Sequence, residues 1–146
     1  MKPGELAAGG PRAEGHAGAL RAGVDAVHEG YEHHYGAAQS PAALDRDLAL
    51  LDGDRRYADG LAALAAIGDL TAIAELADAI SLCAQSHAED RPEIADAVWT
   101  AAATAIGWGQ SPDLVGAKQR ARAGQRGAGD ALRDAADSIR RPSPHG

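Results

Sequence analysis

The stretch "LALLDGDRRYADGLAALAAIGDLTAIAELADAISLCAQSH", residues Leu48–His87, decides the fold class of this chain. Its large apolar residues recur at separations of three and four, the spacing that places side chains on one face of a helix. Gly68 and Asp69 interrupt the pattern, and glycine commonly ends a helix while aspartate caps the next one. The stretch is therefore predicted to form two consecutive amphipathic helices.

The periodicity continues on both sides of this pair. Ser40 followed by Pro41 has the form of a helix start. Asp90 with Glu93 three residues later has the form of a capping box that opens a further helix. The sequence therefore predicts four helices, at about residues 13–35, 41–67 and 70–88, with a fourth that is capped by Asp90 and ends at "GWGQSP".

The second of these helices contains two glycines, Gly53 and Gly60, which nearly eclipse each other after two turns. Each costs about 1 kcal/mol relative to alanine in a helix interior, a cost that is tolerable where another backbone approaches closely. We therefore predict a close-packed interface at Gly53, Tyr57, Gly60 and Leu64; the alternative is that glycine is simply frequent in this chain. The same helix presents a second set of residues on one side, Leu44, Leu48, Leu51, Ala58, Leu61 and Ala65.

Composition favours an all-α domain with a sparse core. The hydrophobic fraction of 45% consists largely of alanine, and phenylalanine is absent; alanine is the best helix former but contributes little to burial. We predict an antiparallel bundle of about four helices at residues 13–110, a disordered leader at 1–12 and a flexible, weakly helical basic tail at 111–146. A core this poor in large side chains also favours a homo-oligomer or a heteromer with a helical protein.

Charge and apolar runs limit the partners and the compartment. Residues 1–110 have a net charge of −10 and residues 111–146 of +3, so nucleic acid is not expected as the main partner of the acidic body. The apolar runs are shorter than the roughly 20 residues of a membrane helix. The N-terminus lacks the apolar segment of a secretory signal, and the single cysteine cannot form an intrachain disulfide. We expect a cytoplasmic protein without a cofactor.

The best metal-ligand candidates lie near the end of the first helix, in the sequence "HEGYEHHYG". Imidazole and carboxylate groups four residues apart on a helix can bind a transition metal. Ion pairs near the negative end of the helix dipole explain the same residues without a metal, so both interpretations stay open. The candidate ligands are His28, Glu29, Glu32, His33 and His34.

No other residue set has the spacing of a known catalytic site. Cys83 falls on the apolar stripe of its helix, where a buried and inert thiol is expected. The basic run "KQRARAGQR" in the tail lacks interleaved aromatic residues, which favours a solvated segment over a nucleic-acid site.

Residues 48–85, "LALLDGDRRYADGLAALAAIGDLTAIAELADAISLCAQ", resemble a helix pair of the trans-isoprenyl diphosphate synthases. Within that family they look most like the non-catalytic small subunit of the two-component heptaprenyl synthases. Gly53 and Asp54 stand at the Gly-Asp of the family, with Asp52 where alanine is usual, and the two aspartate-rich motifs that hold magnesium diphosphate do not occur. The resemblance implies a non-catalytic relative that partners another helical chain.

Three hypotheses follow, of which the third is an anion-binding regulator that acts through the basic tail. The first is a non-catalytic interaction or accessory subunit of an isoprenyl diphosphate synthase-like assembly, which packs against itself or a larger helical partner. The second is a small metal-binding helical protein, or a metal-dependent enzyme, that uses the histidines and glutamates of the first helix.

Overall fold

A computed structural model describes residues 1–37 and 43–142, and these residues form helices and turns without any β-strand. A single 3₁₀ turn at Pro11–Ala13 follows the first helix. The α-helices, in chain order, are α1 (Pro3–Ala8), α2 (Ala17–Ala37), α3 (Ala43–Ala66), α4 (Leu70–Ala88), α5 (Glu93–Trp108), α6 (Pro112–Arg122) and α7 (Ala128–Arg140).

The all-α prediction is confirmed, whereas the prediction of about four helices is corrected to seven within the described residues. The four predicted helices correspond to α2–α5. The three others lie in the segments predicted as leader and tail. Few apolar side chains hold them, but each of the three helices has at least one with no exposed surface: Ala7 of α1, Leu114 of α6 and Leu132 of α7.

Helix α5 forms the centre of the molecule. Twelve of its sixteen residues are buried, and seven of these are alanine or glycine, as in the run Ala101–Ala103 and at Gly107. Small side chains on every side of a helix let the neighbouring backbones approach it closely. Helices α1, α4 and α7 pack around α5, and a Cβ atom added at Gly107 would lie 2.5 Å from the Ala7 carbonyl oxygen.

A buried ion pair joins α4 to α6. The Lys118 ammonium group donates hydrogen bonds to Glu75 at 2.5 Å and to Asp78 at 3.1 Å, and the side chain of Gln110 donates to the other Glu75 oxygen at 2.5 Å. Lys118 and Glu75 are both buried. The pairing satisfies two charges that would be costly to bury alone, and it places Lys118 within the fold although the sequence grouped it with a solvated basic run.

The helix boundaries test the predicted capping residues. Asp69 caps α4, since its side chain accepts a hydrogen bond from the Ala72 amide at 3.0 Å, as predicted. Asp90 does not open α5: its φ is +57°, and its amide donates to the His87 carbonyl while the Arg91 amide donates to the Ser86 carbonyl. These two bonds are a Schellman motif that ends α4. The predicted start at Ser40 and Pro41 lies outside the described residues.

Helices α2 and α3 pack antiparallel through facing glycines. A Cβ atom at Gly60 would lie 2.7 Å from the Gly23 carbonyl oxygen, and one at Gly30 would lie 2.8 Å from the Gly53 carbonyl oxygen. Real Cβ atoms essentially never come this close to another atom. The two glycine pairs therefore permit a backbone separation that alanine would prevent.

None of the described helices is long and apolar enough to cross a membrane.

Candidate interaction surface

The side of α3 that faces away from α2 is apolar and uncovered. Leu44, Leu48 and Leu51 expose 70%, 56% and 65% of their surface, and three alanines further along the same face are also exposed. These leucines belong to the apolar side that the sequence predicts, and α2 packs on the opposite side of the helix. We call this surface the outer stripe, and its apolar members are Leu44, Leu48, Leu51, Ala58, Ala62 and Ala65.

The outer stripe has a heptad spacing. Its positions follow one another at alternating separations of four and three residues, the pattern that gives a continuous seam for a second helix. Only Arg55 interrupts the apolar sequence at these positions, and its Nε lies 3.8 Å from the carboxylate of Asp59. The stripe is therefore bulky and leucine-rich at one end, small and alanine-rich at the other, with one cation between them.

Aspartates line both edges of the outer stripe. On a helix with 3.6 residues per turn, Asp45, Asp52 and Asp59 follow one edge while Asp47 and Asp54 follow the other. These are the e and g positions of the heptad pattern, the positions that face the charged edges of a partner helix in a coiled coil. No lysine or arginine occupies such a position between residues 45 and 59.

The opposite face of α3 carries the residues that the glycine spacing singled out. Gly53, Gly60 and Leu64 are buried and Tyr57 is half-buried, all of them against α2 of the same chain. A Cβ atom at Gly23 would lie 2.8 Å from the Leu64 side chain. The close backbone approach therefore occurs within the chain, and Gly53, Tyr57, Gly60 and Leu64 build the support that presents the outer stripe.

Polar side-chain pairs between α2 and α3 reinforce this support. His33 Nδ1 lies 3.3 Å from Asp52 and His34 Nε2 lies 2.7 Å from Asp54. Arg56 donates to Asp52 at 3.0 Å, and this hydrogen bond holds the pKa of the Asp52 carboxyl below its usual value.

The remaining candidate metal ligands have separate partners. Arg56 also donates to Glu29 at 2.8 Å, and His28 pairs with Glu32 along the same helix at 3.0 Å. Together with the two histidine–aspartate pairs, these contacts distribute the five candidate ligands among different partners. Within residues 1–37 and 43–142, no group of three or more histidine, cysteine or acidic residues is arranged to hold a metal ion.

A second feature is an aromatic cluster where α2, α4 and α5 meet. The rings of Tyr35 and His87 stack with centroids 3.9 Å apart, and the Tyr31 hydroxyl lies 2.7 Å from His87 Nε2. Trp99 packs against Tyr31 and, edge-on, against His28. The cluster borders an open surface cleft lined by Tyr31, Glu32, Tyr35, Gly36, Ala84, His87, Ala88 and Pro92.

Burial shifts the acidity of three groups near this cluster. It raises the pKa of the Tyr31 hydroxyl and raises the pKa of the Cys83 thiol to about 12. It also lowers the pKa of His28, although the nearby carboxylates of Glu32 and Asp25 act in the opposite direction. All three shifts favour the neutral form, which suits side chains packed for structure and gives no activated nucleophile: Cys83 is buried and lacks a thiolate near neutral pH.

Comparisons with protein families, curated proteins and solved structures find no match to this chain.

Proposed function

We propose that this chain is a non-catalytic helical interaction protein that binds a helical partner through the outer stripe of α3. The observation that carries the proposal is the exposure of three leucines on consecutive turns, each with more than half of its surface in solvent. Single exposed leucines are ordinary, but contiguous apolar patches mark interaction sites. Fully burying a leucine side chain contributes about 1.5–3 kcal/mol, so a partner that covers all three gains a substantial binding free energy.

The concentration of exposed apolar residues on one helix supports this assignment. Among the described residues, four of the seven exposed large hydrophobic side chains belong to α3, and the others are Met1 before α1, Leu70 of α4 and Val115 of α6. A protein that merely tolerated surface leucines would distribute them. The apolar residues of the central helix α5 are buried. The exposure of the outer stripe is therefore not a general property of the apolar residues in this chain.

The resemblance of residues 48–85 to the non-catalytic small subunit of two-component isoprenyl diphosphate synthases suggests the kind of assembly. We propose an accessory subunit of an isoprenyl diphosphate synthase-like complex, in which the catalytic residues belong to the partner chain. On this proposal, the purified chain with magnesium and isoprenyl diphosphates forms no product by itself. Robust product from the isolated chain would contradict the non-catalytic assignment.

Affinity purification from the native host tests the binding role. The wild-type chain is compared with a Leu48→Gln/Leu51→Gln variant and with a Leu70→Gln control, because Leu70 is 73% exposed but lies outside the outer stripe. The expected result is a partner that co-purifies in fixed stoichiometry with the wild type and the control but not with the stripe variant. Identical sets of co-purified proteins from all three would contradict the proposal.

A further inference from the structure

We infer that the outer stripe of α3 binds an amphipathic helix whose apolar face is flanked by lysine and arginine. The inference rests on the proposed function and specifies the partner. It follows from the charges at the edges of the stripe and from the apolar content of the rest of the chain. The change from leucine to alanine along the stripe is the third argument.

The edges of the stripe argue against a second copy of α3. In an antiparallel helix pair, e positions face e positions and g positions face g positions; in a parallel pair, e faces g. Both edges of the stripe consist of aspartate, at Asp45, Asp52 and Asp59 and at Asp47 and Asp54. A register that aligns two such stripes along their length therefore places carboxylate against carboxylate. A helix with basic e and g positions meets opposite charges along both edges instead.

The rest of this chain does not supply a basic leucine-bearing helix. Residues 38–42 and 143–146 contain no leucine, isoleucine, valine, methionine or aromatic residue. The basic helix α6 exposes one large apolar side chain, Val115. Its lysine, Lys118, is already paired with Glu75 in the interior. Neither these segments nor α6 supplies the occupant that the stripe fits.

The change from large to small side chains along the stripe determines the orientation of that partner. Leucines at the N-terminal end of α3 need small side chains opposite them, whereas Ala58, Ala62 and Ala65 leave room for large ones. Arg55 lies between the two ends, and its Nε lies 3.8 Å from the carboxylate of Asp59. A single polar residue at a seam position selects one register, so the partner is expected to place a carboxylate or an amide opposite Arg55.

Two synthetic helical peptides test the inference with the full-length chain. Both carry leucine and alanine at the seam positions; one has lysine at every e and g position and the other has glutamate there. We expect the lysine peptide to bind at least about tenfold more tightly than the glutamate peptide at low ionic strength. The difference should shrink at high salt, since the Debye length falls from about 10 Å at 0.1 M to about 3 Å at 1 M.

Protein variants assign the binding to the stripe. Leu48→Gln/Leu51→Gln should abolish binding of the lysine peptide, while Leu70→Gln should bind like the wild type. An Asp45→Asn/Asp47→Asn/Asp59→Asn variant should retain the apolar contact but lose most of the preference for lysine over glutamate. Asp52 and Asp54 are left unchanged because they pair with histidines of α2.

The possible outcomes separate the inference from the proposed function. Equal binding of both peptides overturns the basic partner but keeps the stripe as a binding surface. A dimer of this chain that Leu48→Gln/Leu51→Gln dissociates does the same, with a second copy as the occupant. If neither peptide binds, and the stripe variant also changes no association in the native host, both the inference and the proposed function are wrong.

Discussion

Helices α5 and α3 use the same small residues for opposite purposes. Twelve of sixteen residues are buried in α5, against Gly53, Gly60 and Leu64 of the 24 residues in α3. In α5, alanines on all sides admit several neighbouring helices. In α3, glycines on one side admit α2 alone, and the leucines remain outside. A helix rich in alanine and glycine therefore becomes either the centre or the edge of a bundle according to how many of its faces find a neighbour.

This comparison separates folding from binding. The chain has few large apolar side chains, yet it leaves three leucines of α3 outside the core. Because burial is the main favourable term in folding, this arrangement reduces the stability that the isolated chain can reach. Such a cost is consistent with a surface that is covered in the assembled protein.

The largest expected difference between the interior and the surface is the reactivity of Cys83, which is buried in α4. Its pKa is raised from 9.0 to about 12, so the folded chain holds about a thousandfold less thiolate than an ordinary cysteine, and thiolate is the reactive form. Labelling with a thiol reagent at neutral pH should be slower by about that factor in the native chain than in the denatured chain. Equal rates would show that the α4–α5 interior is open.

Truncation of a core side chain of α5 should have the next largest effect. Ile106 is 1% exposed, and Ile106→Ala should lower the free energy of unfolding by about 2–5 kcal/mol, since it removes buried methyl groups and leaves a cavity. Denaturant titration measures the change. The matched control is Leu51→Ala on the outer stripe, which should cost less than about 0.5 kcal/mol. Comparable losses in the two variants would contradict the contrast between a buried α5 and an exposed outer stripe.

Substitution of the α2–α3 glycines should be less severe and should depend on size. Gly60→Ala gains about 1 kcal/mol of helix propensity, but its Cβ would lie 2.7 Å from both the Gly23 carbonyl oxygen and the Val27 side chain, so we expect a net loss of about 1–3 kcal/mol from overpacking. Gly60→Leu should be worse. Gly116 of α6 has no atom near the position of an added Cβ, so Gly116→Ala should be stabilising when thermal melts are compared.

Acid should weaken the chain in part through His28. In the folded state, burial lowers the pKa of His28 below its ordinary value of 6.5. Below about pH 6.5, His28 therefore binds a proton more readily in the unfolded chain than in the folded chain. The free energy of unfolding should therefore fall as the pH decreases through this range, until the lower folded-state pKa is reached. Denaturant titrations at several pH values should show a shallower fall for His28→Gln. An identical fall would remove His28 as a cause.

The smallest expected effect on folding belongs to the outer stripe. Leu48→Gln and Leu51→Gln should each change the free energy of unfolding of the isolated chain by less than about 0.5 kcal/mol, because these side chains are already in solvent. Chemical denaturation at low protein concentration measures this. A loss above about 2 kcal/mol would mean that the stripe is covered in the isolated chain, contrary to the comparison with α5.

Local signals predicted part of this architecture well. The predicted bounds of the third helix coincide with α4, and the Asp69 cap depends only on neighbouring backbone amides. The Asp90–Glu93 box failed because Asp90 can equally end a helix at positive φ, and the Schellman bonds of α4 took precedence. The predicted number of helices was also wrong. Leader and tail contain few large apolar residues, but Leu114 and Leu132 are completely buried, and the number of apolar residues in a segment does not show this.

The apolar residues of the candidate surface were recognised in the sequence, but their exposure was not. The leucine pattern and the Gly53–Gly60 spacing were both recognised, and both were interpreted as packing features. A signal that could have separated them was the matching pair Gly23 and Gly30 on α2, since two glycine pairs at the same spacing on consecutive helices fit each other in an antiparallel hairpin. The aromatic cluster of Tyr31, Tyr35, His87 and Trp99 brings together distant residues, and no spacing predicts it.

The sequence by itself determined that this chain is helical, where its middle helices lie and which residues form apolar stripes, because those properties depend on propensity and on periodicity within one helix. Only the tertiary structure decided which stripe of α3 faces inwards. Only one of the two stripes on α3 can face α2. Which stripe does so depends on the shape of α2, whose glycines fit Gly53 and Gly60 but leave the leucines outside. That choice is made by packing between helices.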